Sequence, residues 1–217
     1  AQVNQLQSSA NRKTTTLEEA CRKTWESGGF GFGDLDYYNK GLIAGLLLDA
    51  AIREATKGQK SLDDVMRLMY ERHRLPKPGY EEDAIRLAIN ELAGKDMSAA
   101  YNRIVRSTQE VPYELLSGIG LRVLAPGMDY VDAGFHTVNS KVTSLSDAAF
   151  EAGLGRGDEI VSATISEKTA ELTVKRGGEN FTMALPIANE RSTQWKVEEN
   201  PLATASQRRQ LALWLKR

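Results

Sequence analysis

Residues Lys141–Ala163 read KVTSLSDAAFEAGLGRGDEIVSA. Alternating side chains over Lys141–Leu145 predict a strand, because neighbours in an extended chain point to opposite faces. Asp147–Ala152 predicts a short helix, stopped by Gly153 and anchored by the apolar Leu154. Gly157-Asp158 predicts a turn into a second strand over Glu159–Ala163. Outward from this stretch the same texture continues. Candidate strands are Gly120–Leu124 and Phe135–Val138 before it, and Ala170–Arg176 and Phe181–Ile187 after it. Arg176-Gly177-Gly178-Glu179 lies between two alternating runs and predicts a hairpin. Polar residues follow Pro186, then a tail helix around Ser206–Lys216 bearing Leu211, Trp214 and Leu215.

Before Val111-Pro112 the pattern is helical. In Tyr38–Lys57, Leu42, Ile43, Leu46, Leu47, Ala50 and Ala51 recur at the three-and-four spacing of a buried helical stripe, and Gly58 supplies a stop. Ser61 with Asp64 three residues on predicts a capping box ahead of Val65, Met66, Leu68 and Met69. LPKPGY, Leu75–Tyr80, is a connection. A third helix fits Glu81–Ala93, ended by Gly94, and Asp96 caps a fourth that carries Tyr101, Ile104 and Val105. The reading is therefore an α+β chain: a helical region over residues 1–111, a small β domain over 112–190, and a tail with a C-terminal helix over 191–217.

Composition excludes several function classes. In the 217 residues, 28 Lys+Arg stand against 29 Asp+Glu, so no basic excess points to nucleic acid. The longest apolar run, Leu42–Leu48, is far short of the ~20 residues of a bilayer span. The opening AQVNQLQSSANRKTTT lacks the apolar core of a secretory signal, and the compartment stays open between cytoplasm and periplasm. One cysteine, Cys21, excludes an intrachain disulfide framework; Leu17, Cys21 and Trp25 share a helical side, which makes it a buried structural thiol.

The two histidines, His73 and His136, lie in different regions, with no second His one turn away, so the chain offers no metal-ligand set. His73 reads as a solvated helix end and His136 as an ordinary strand residue. The glycine cluster SGGFGFGD, Ser27–Asp34, lacks the preceding strand and following Lys-Ser/Thr of a phosphate cradle and reads as a flexible loop. Asp63, Asp64, Glu81, Glu82 and Asp83 sit at helix starts, where the dipole favours carboxylates.

YYNKGLIAGLLLD, Tyr37–Asp49, opens a long apolar helix with Tyr-x-Lys-Gly. Followed by IREATKGQKSLDDVM, by GYEEDAIRLAINELAGKDMSAAYNRIVRSTQEVPYE, and by Trp195 and the closing Trp214-Leu215, it resembles the glycyl aminopeptidase branch of the gluzincin metallopeptidases from about Arg12 onward. The resemblance implies that Tyr38, with Lys40 and Gly41 completing the motif and Tyr37 its neighbour, donates a hydrogen bond to the oxyanion of the tetrahedral intermediate. A neutral phenol suits that role. The same family carries H-E-x-x-H and a further Glu ligand before this motif. The 37 residues preceding Tyr38 contain no His. The resemblance thus implies a C-terminal portion of a zinc aminopeptidase acting on small N-terminal residues, with no cofactor bound here and zinc expected in the full-length parent.

The Lys141–Ala163 stretch is similar to bacterial PDZ domains, which that family carries at this place. The resemblance implies that Gly134 and Phe135, in Ala133-Gly134-Phe135, receive the C-terminal carboxylate of a peptide added as a strand to His136–Val138. One departure is plain. The helix that forms the second wall of a PDZ groove would fall within Thr164–Thr169, and six residues make less than two turns at ~3.6 residues per turn. The rival expectation is a non-enzymatic PDZ-like binding or scaffold protein, complete as it stands.

Overall fold

A computed structural model describes residues 1–26, 36–166 and 168–215. The chain divides into two units, Ala1–Leu115 and Leu116–Arg217. Helices occupy the first, and strands with a final helix the second, so the architecture is α+β.

The helical unit contains α1 (Gln2–Ser8), α2 (Leu17–Glu26), α3 (Tyr37–Ala55), α4 (Leu62–His73), α5 (Ala84–Ala93) and α6 (Ser98–Val105). The long α3 is its centre. Ile43, Ala44, Leu47, Ala50, Ala51 and Ile52 on α3 are almost wholly buried. Burial of each large aliphatic side chain contributes roughly 1.5–3 kcal/mol. The buried stripe is rotated from the one the sequence suggests: Leu42 is 55% exposed and Leu46 only half-buried. Asp36 caps α3 by accepting from Tyr38 N–H at 2.9 Å. Ser61 and Asp64 form the predicted capping box at α4, with Ser61 N–H donating to Asp64 Oδ2 at 2.9 Å. Gly94 ends α5, and Asp96 accepts from Ser98 N–H at 2.8 Å to start α6. On α2 the buried face is Leu17, Ala20 and Thr24, one position round from the side proposed from sequence. Trp25 is consequently 82% exposed, and Cys21 is half-buried rather than buried.

The second unit contains β1 (Leu121–Leu124), β2 (Asp129–Asp132), β3 (Phe135–Val138), β4 (Lys141–Leu145), α7 (Asp147–Glu151), β5 (Glu159–Ile165), β6 (Thr169–Arg176), β7 (Glu179–Pro186), β8 (Ala188–Arg191), β9 (Lys196–Glu199) and α8 (Ala205–Leu215). Its largest sheet is antiparallel in the order β3-β4-β5-β6-β7. β1 pairs with β9 and β2 with β8 as two separate ribbons. The alternation that predicts strands is the alternation that buries Phe135, Val142, Ile160, Leu172, Val174 and Leu185 in one core. Leu154 anchors the end of α7 in that core, with 1% of its surface exposed. Gly177 and Gly178 close the predicted β6–β7 hairpin, with Arg176 opposite Glu179.

Three strands are absent from the sequence reading: β2, β8 and β9. DYVD, ANER and KVEE are short and polar, and two of them form the partner sides of ribbons whose order no local pattern carries. β5 runs to Ile165 and β6 starts at Thr169, so the ends of the span expected to hold a PDZ second wall belong to strands.

Candidate functional site

At the start of α3 the Asp36 cap fixes the first turn. Tyr37 and Tyr38 project from it with ring centroids 4.2 Å apart and planes tilted by 32°. Tyr38 is 74% exposed, a phenol held on a capped helix end and open to solvent. The Tyr37 hydroxyl shares a hydrogen bond with Tyr38. That bond first, and burial second, push its pKa up to about 12. Two residues on, Lys40 points the opposite way. Only 2% of it is exposed, and Nζ donates to the Thr15 carbonyl at 2.9 Å. Burial lowers the Lys40 pKa, and the Glu110 charge opposes that fall. Lys40 therefore pins α3 to the segment before α2, while Tyr38 presents its hydroxyl outward. At Gly41 a Cβ would stand 4.0 Å from Leu17 Cδ1, an ordinary contact. Ser27–Asp34, read from sequence as a flexible loop, lies outside the described residues.

The second candidate is the loop before β3. Gly134 has φ +72°, and a Cβ there would stand 2.3 Å from Ser146 Oγ. Glycine is thus required by both conformation and space. Its N–H donates to Asp132 Oδ1 at 3.0 Å, and its carbonyl accepts from Ser146 N–H at 2.7 Å. The Phe135 side chain is 1% exposed and belongs to the core. β3 is an edge of the five-stranded sheet, with a bulge between His136 and Thr137. Tyr38 and the Gly134–Phe135 pair lie in different units.

Among the described residues no three His, Cys, Asp or Glu side chains come together as a metal site. His73 ends α4 with its ring edge-on to Tyr80 at 5.7 Å, and His136 sits on β3 in the other unit with Nδ1 3.6 Å from Glu198 Oε2. These residues do not fit a catalytic zinc, which needs three converging protein ligands. Burial pushes the Cys21 thiol pKa up, which disfavours the nucleophilic thiolate. Among the described residues no helix is long and apolar enough to cross a membrane.

Sequence reasoning missed Asp132, Glu198 and Glu199. Glu198 binds Arg122 Nε at 2.8 Å and pairs with Lys196 and His136, while Glu199 accepts from Asn139 N–H at 2.5 Å and Ser140 N–H at 3.1 Å. Burial alone would raise the Glu198 pKa; Lys196 and Arg122 outweigh it and hold the carboxyl below its usual range. No local signal marks Glu198 and Glu199, because their partners on β1, β3 and the β3–β4 turn are 59 to 76 positions away; Asp132 lies on β2, a strand that the pattern does not announce.

No family model matches this sequence, and no curated protein matches it. Among solved structures, the chain is similar to a crystal structure of an aminopeptidase N family protein from Idiomarina loihiensis, with a TM-score of 0.55 and 17% identity. The likeness covers 100% of this chain and 43% of that one, so this chain spans less than half the length of its structural neighbour. At that identity the likeness is one of fold: helices followed by a small β domain and a final helix are an arrangement this chain shares with part of that protein.

Proposed function

We propose that this chain is the C-terminal portion of a zinc-dependent aminopeptidase that removes small N-terminal residues from peptides, similar to the glycyl aminopeptidases. The observation that carries the reading is Tyr38: an exposed phenol on a rigidly capped helix, within Tyr-x-Lys-Gly, in a fold shared with part of an aminopeptidase N family protein. Zinc would be held by residues of the longer protein; among the described residues no three His, Cys, Asp or Glu side chains come together. The contribution of this portion is a neutral hydrogen-bond donor at a fixed position. As a peptide carbonyl gains negative charge, the Tyr38 hydroxyl donates to its oxygen. The bond strengthens as the charge develops, so it stabilises the transition state more than the bound peptide. Lys40, anchored on Thr15, and the Asp36 cap keep the helix end from shifting under that load.

The test starts with the coding DNA upstream of the Ala1 codon. An open frame encoding H-E-x-x-H and a later Glu is expected, and a start codon immediately before Ala1 sinks the reading. In the longer protein, Tyr38→Phe is expected to lower kcat by about 10²–10³-fold, the loss of one oxyanion donor, with the melting temperature nearly unchanged. Equal kcat in the two proteins removes Tyr38 from the mechanism.

The β unit supports a second reading, a PDZ-like module that takes a peptide strand along β3. Its warrant is the Lys141–Ala163 pattern together with the edge position of β3. As part of the peptidase it would position substrate; as a stand-alone binding protein it would be the whole activity.

A further inference from the structure

β3 is an end strand of its sheet, so one row of its backbone N–H and C=O groups has no neighbour within that sheet. Edges of this kind accept an added strand from a peptide. Carboxylates of this same chain hold both ends of the edge. At the leading end Gly134 N–H, which the PDZ-like reading assigns to a terminal carboxylate, donates to Asp132 Oδ1 at 3.0 Å. At the trailing end Asn139 and Ser140 form the two-residue turn into β4 with φ of 52° and 62°. Successive amides of such a turn make a concavity suited to an anion. Glu199 fills it, one oxygen on each N–H, at 2.5 and 3.1 Å. One residue earlier Glu198 reaches β3 itself: Oε2 lies 3.6 Å from His136 Nδ1, while Oε1 accepts from Arg122 Nε at 2.8 Å, and Lys196 supplies a further cation. The Glu198 and Arg122 side chains are only 12% and 14% exposed, so that pair is screened little by solvent, while His136 and Lys196 lie at its wetter rim.

We propose that β9 is a resident latch on β3: Glu199 occupies the turn amides, Glu198 holds His136, and an incoming peptide strand must displace both. The proposal rests on the PDZ-like reading of the β unit. The latch is tethered, so it competes at a high effective concentration, and the apparent affinity for a free peptide falls by the fraction of molecules in which the latch is open.

The test uses the intact chain and its E198Q/E199Q variant, which keeps side-chain shape and removes both charges. Two measurements are made. Amide hydrogen exchange is followed at Asn139 and Ser140, with Leu172 in the core as the control for global opening. Binding is measured by fluorescence anisotropy with a labelled hexapeptide that ends in valine with a free carboxylate. In the variant, exchange at Asn139 and Ser140 is expected to rise at least tenfold with Leu172 unchanged, and peptide affinity is expected to rise at least tenfold over the wild-type chain. Unchanged exchange at the turn amides overturns the latch. Equal peptide affinity in wild type and variant overturns its inhibitory role. Faster exchange with no peptide bound by either protein also overturns that role, and it assigns the failure to the PDZ-like reading rather than to the Glu199 contact. Should the double variant fold poorly, Glu199→Gln alone answers the exchange question.

Discussion

Tyr37 and Tyr38 are neighbours in sequence with different surroundings, and the difference is measurable. The hydrogen bond between their hydroxyls is the main cause that pushes Tyr37 up to about 12. Tyr38→Phe removes it, so Tyr37 is expected to ionise at lower pH, closer to the ordinary value near 10. A carbon-13 titration of the Tyr37 ring resonance checks this, and an unmoved midpoint would show that the hydrogen bond is not the cause. Asp158 gives a second prediction at this scale. Arg176 binds it through Nε at 2.7 Å and Nη2 at 2.6 Å, and Gly155 N–H donates at 2.7 Å. Arg176 first, opposed by burial and aided by Gly155, holds the carboxyl below its usual range. The folded state therefore favours the ionised form more than the unfolded chain does. That stabilisation is present above the unfolded pKa of about 4 and disappears as pH falls through the lower folded value. In Asp158→Asn, stability should depend less steeply on pH below about 4, as read by urea unfolding at a series of pH values. At Gly134 both backbone and space forbid a side chain, so Gly134→Ala is expected to destabilise the β unit by at least the ~1–3 kcal/mol of a strained left-handed residue.

At the scale of elements, the joint between α3 and α4 turns on one carboxylate. Asp49 Oδ2 accepts from Arg53 Nε at 2.7 Å, and Oδ1 accepts from Leu62 N–H at 2.8 Å. Arg53 is 2% exposed, so removal of its partner leaves a buried charge unpaired. Asp49→Ala is expected to cost about 3–5 kcal/mol, measured by chemical denaturation of the chain, and a loss under 1 kcal/mol would show that the pair is solvated in practice. The β1–β9 ribbon is built differently. Arg122 stands opposite Glu198 across it, and Arg122 also lies 4.9 Å from the Tyr130 ring. Charge contacts define β9, where β5 and β6 are defined by apolar alternation. That is why Glu159–Ala163 and Ala170–Arg176 are visible in the sequence and Lys196–Glu199 is not.

At the scale of the whole molecule, apolar surface remains on the helical unit. Tyr38 and Leu42 stand one turn apart on α3, exposed by 74% and 55%. Adjacent apolar groups of this size favour association with another surface. Sedimentation equilibrium is expected to show concentration-dependent self-association of the chain, reduced in Leu42→Gln without loss of thermal stability. A wild-type chain that is monomeric at every concentration would show that this surface does not drive association.

The sequence by itself determined the order of α3 to α6 and of the strands of the five-stranded sheet, the helix stop at Gly94, the capping box at Ser61, the β6–β7 hairpin and the α+β class. Each depends on residues within one or two turns, where spacing and capping chemistry act locally. Its resemblances add Tyr38 and the Gly134 loop as proposals that the experiments above test. Only the tertiary structure decided which way α3 faces, that Trp25 is exposed, that Gly134 N–H is already bonded to Asp132, and that Glu198 and Glu199 reach β3 and the turn after it from 59 to 62 residues away. The physical reason is range. A carboxylate finds its amide or its guanidinium only after the strands between them have paired, and nothing in its neighbours along the chain records that meeting.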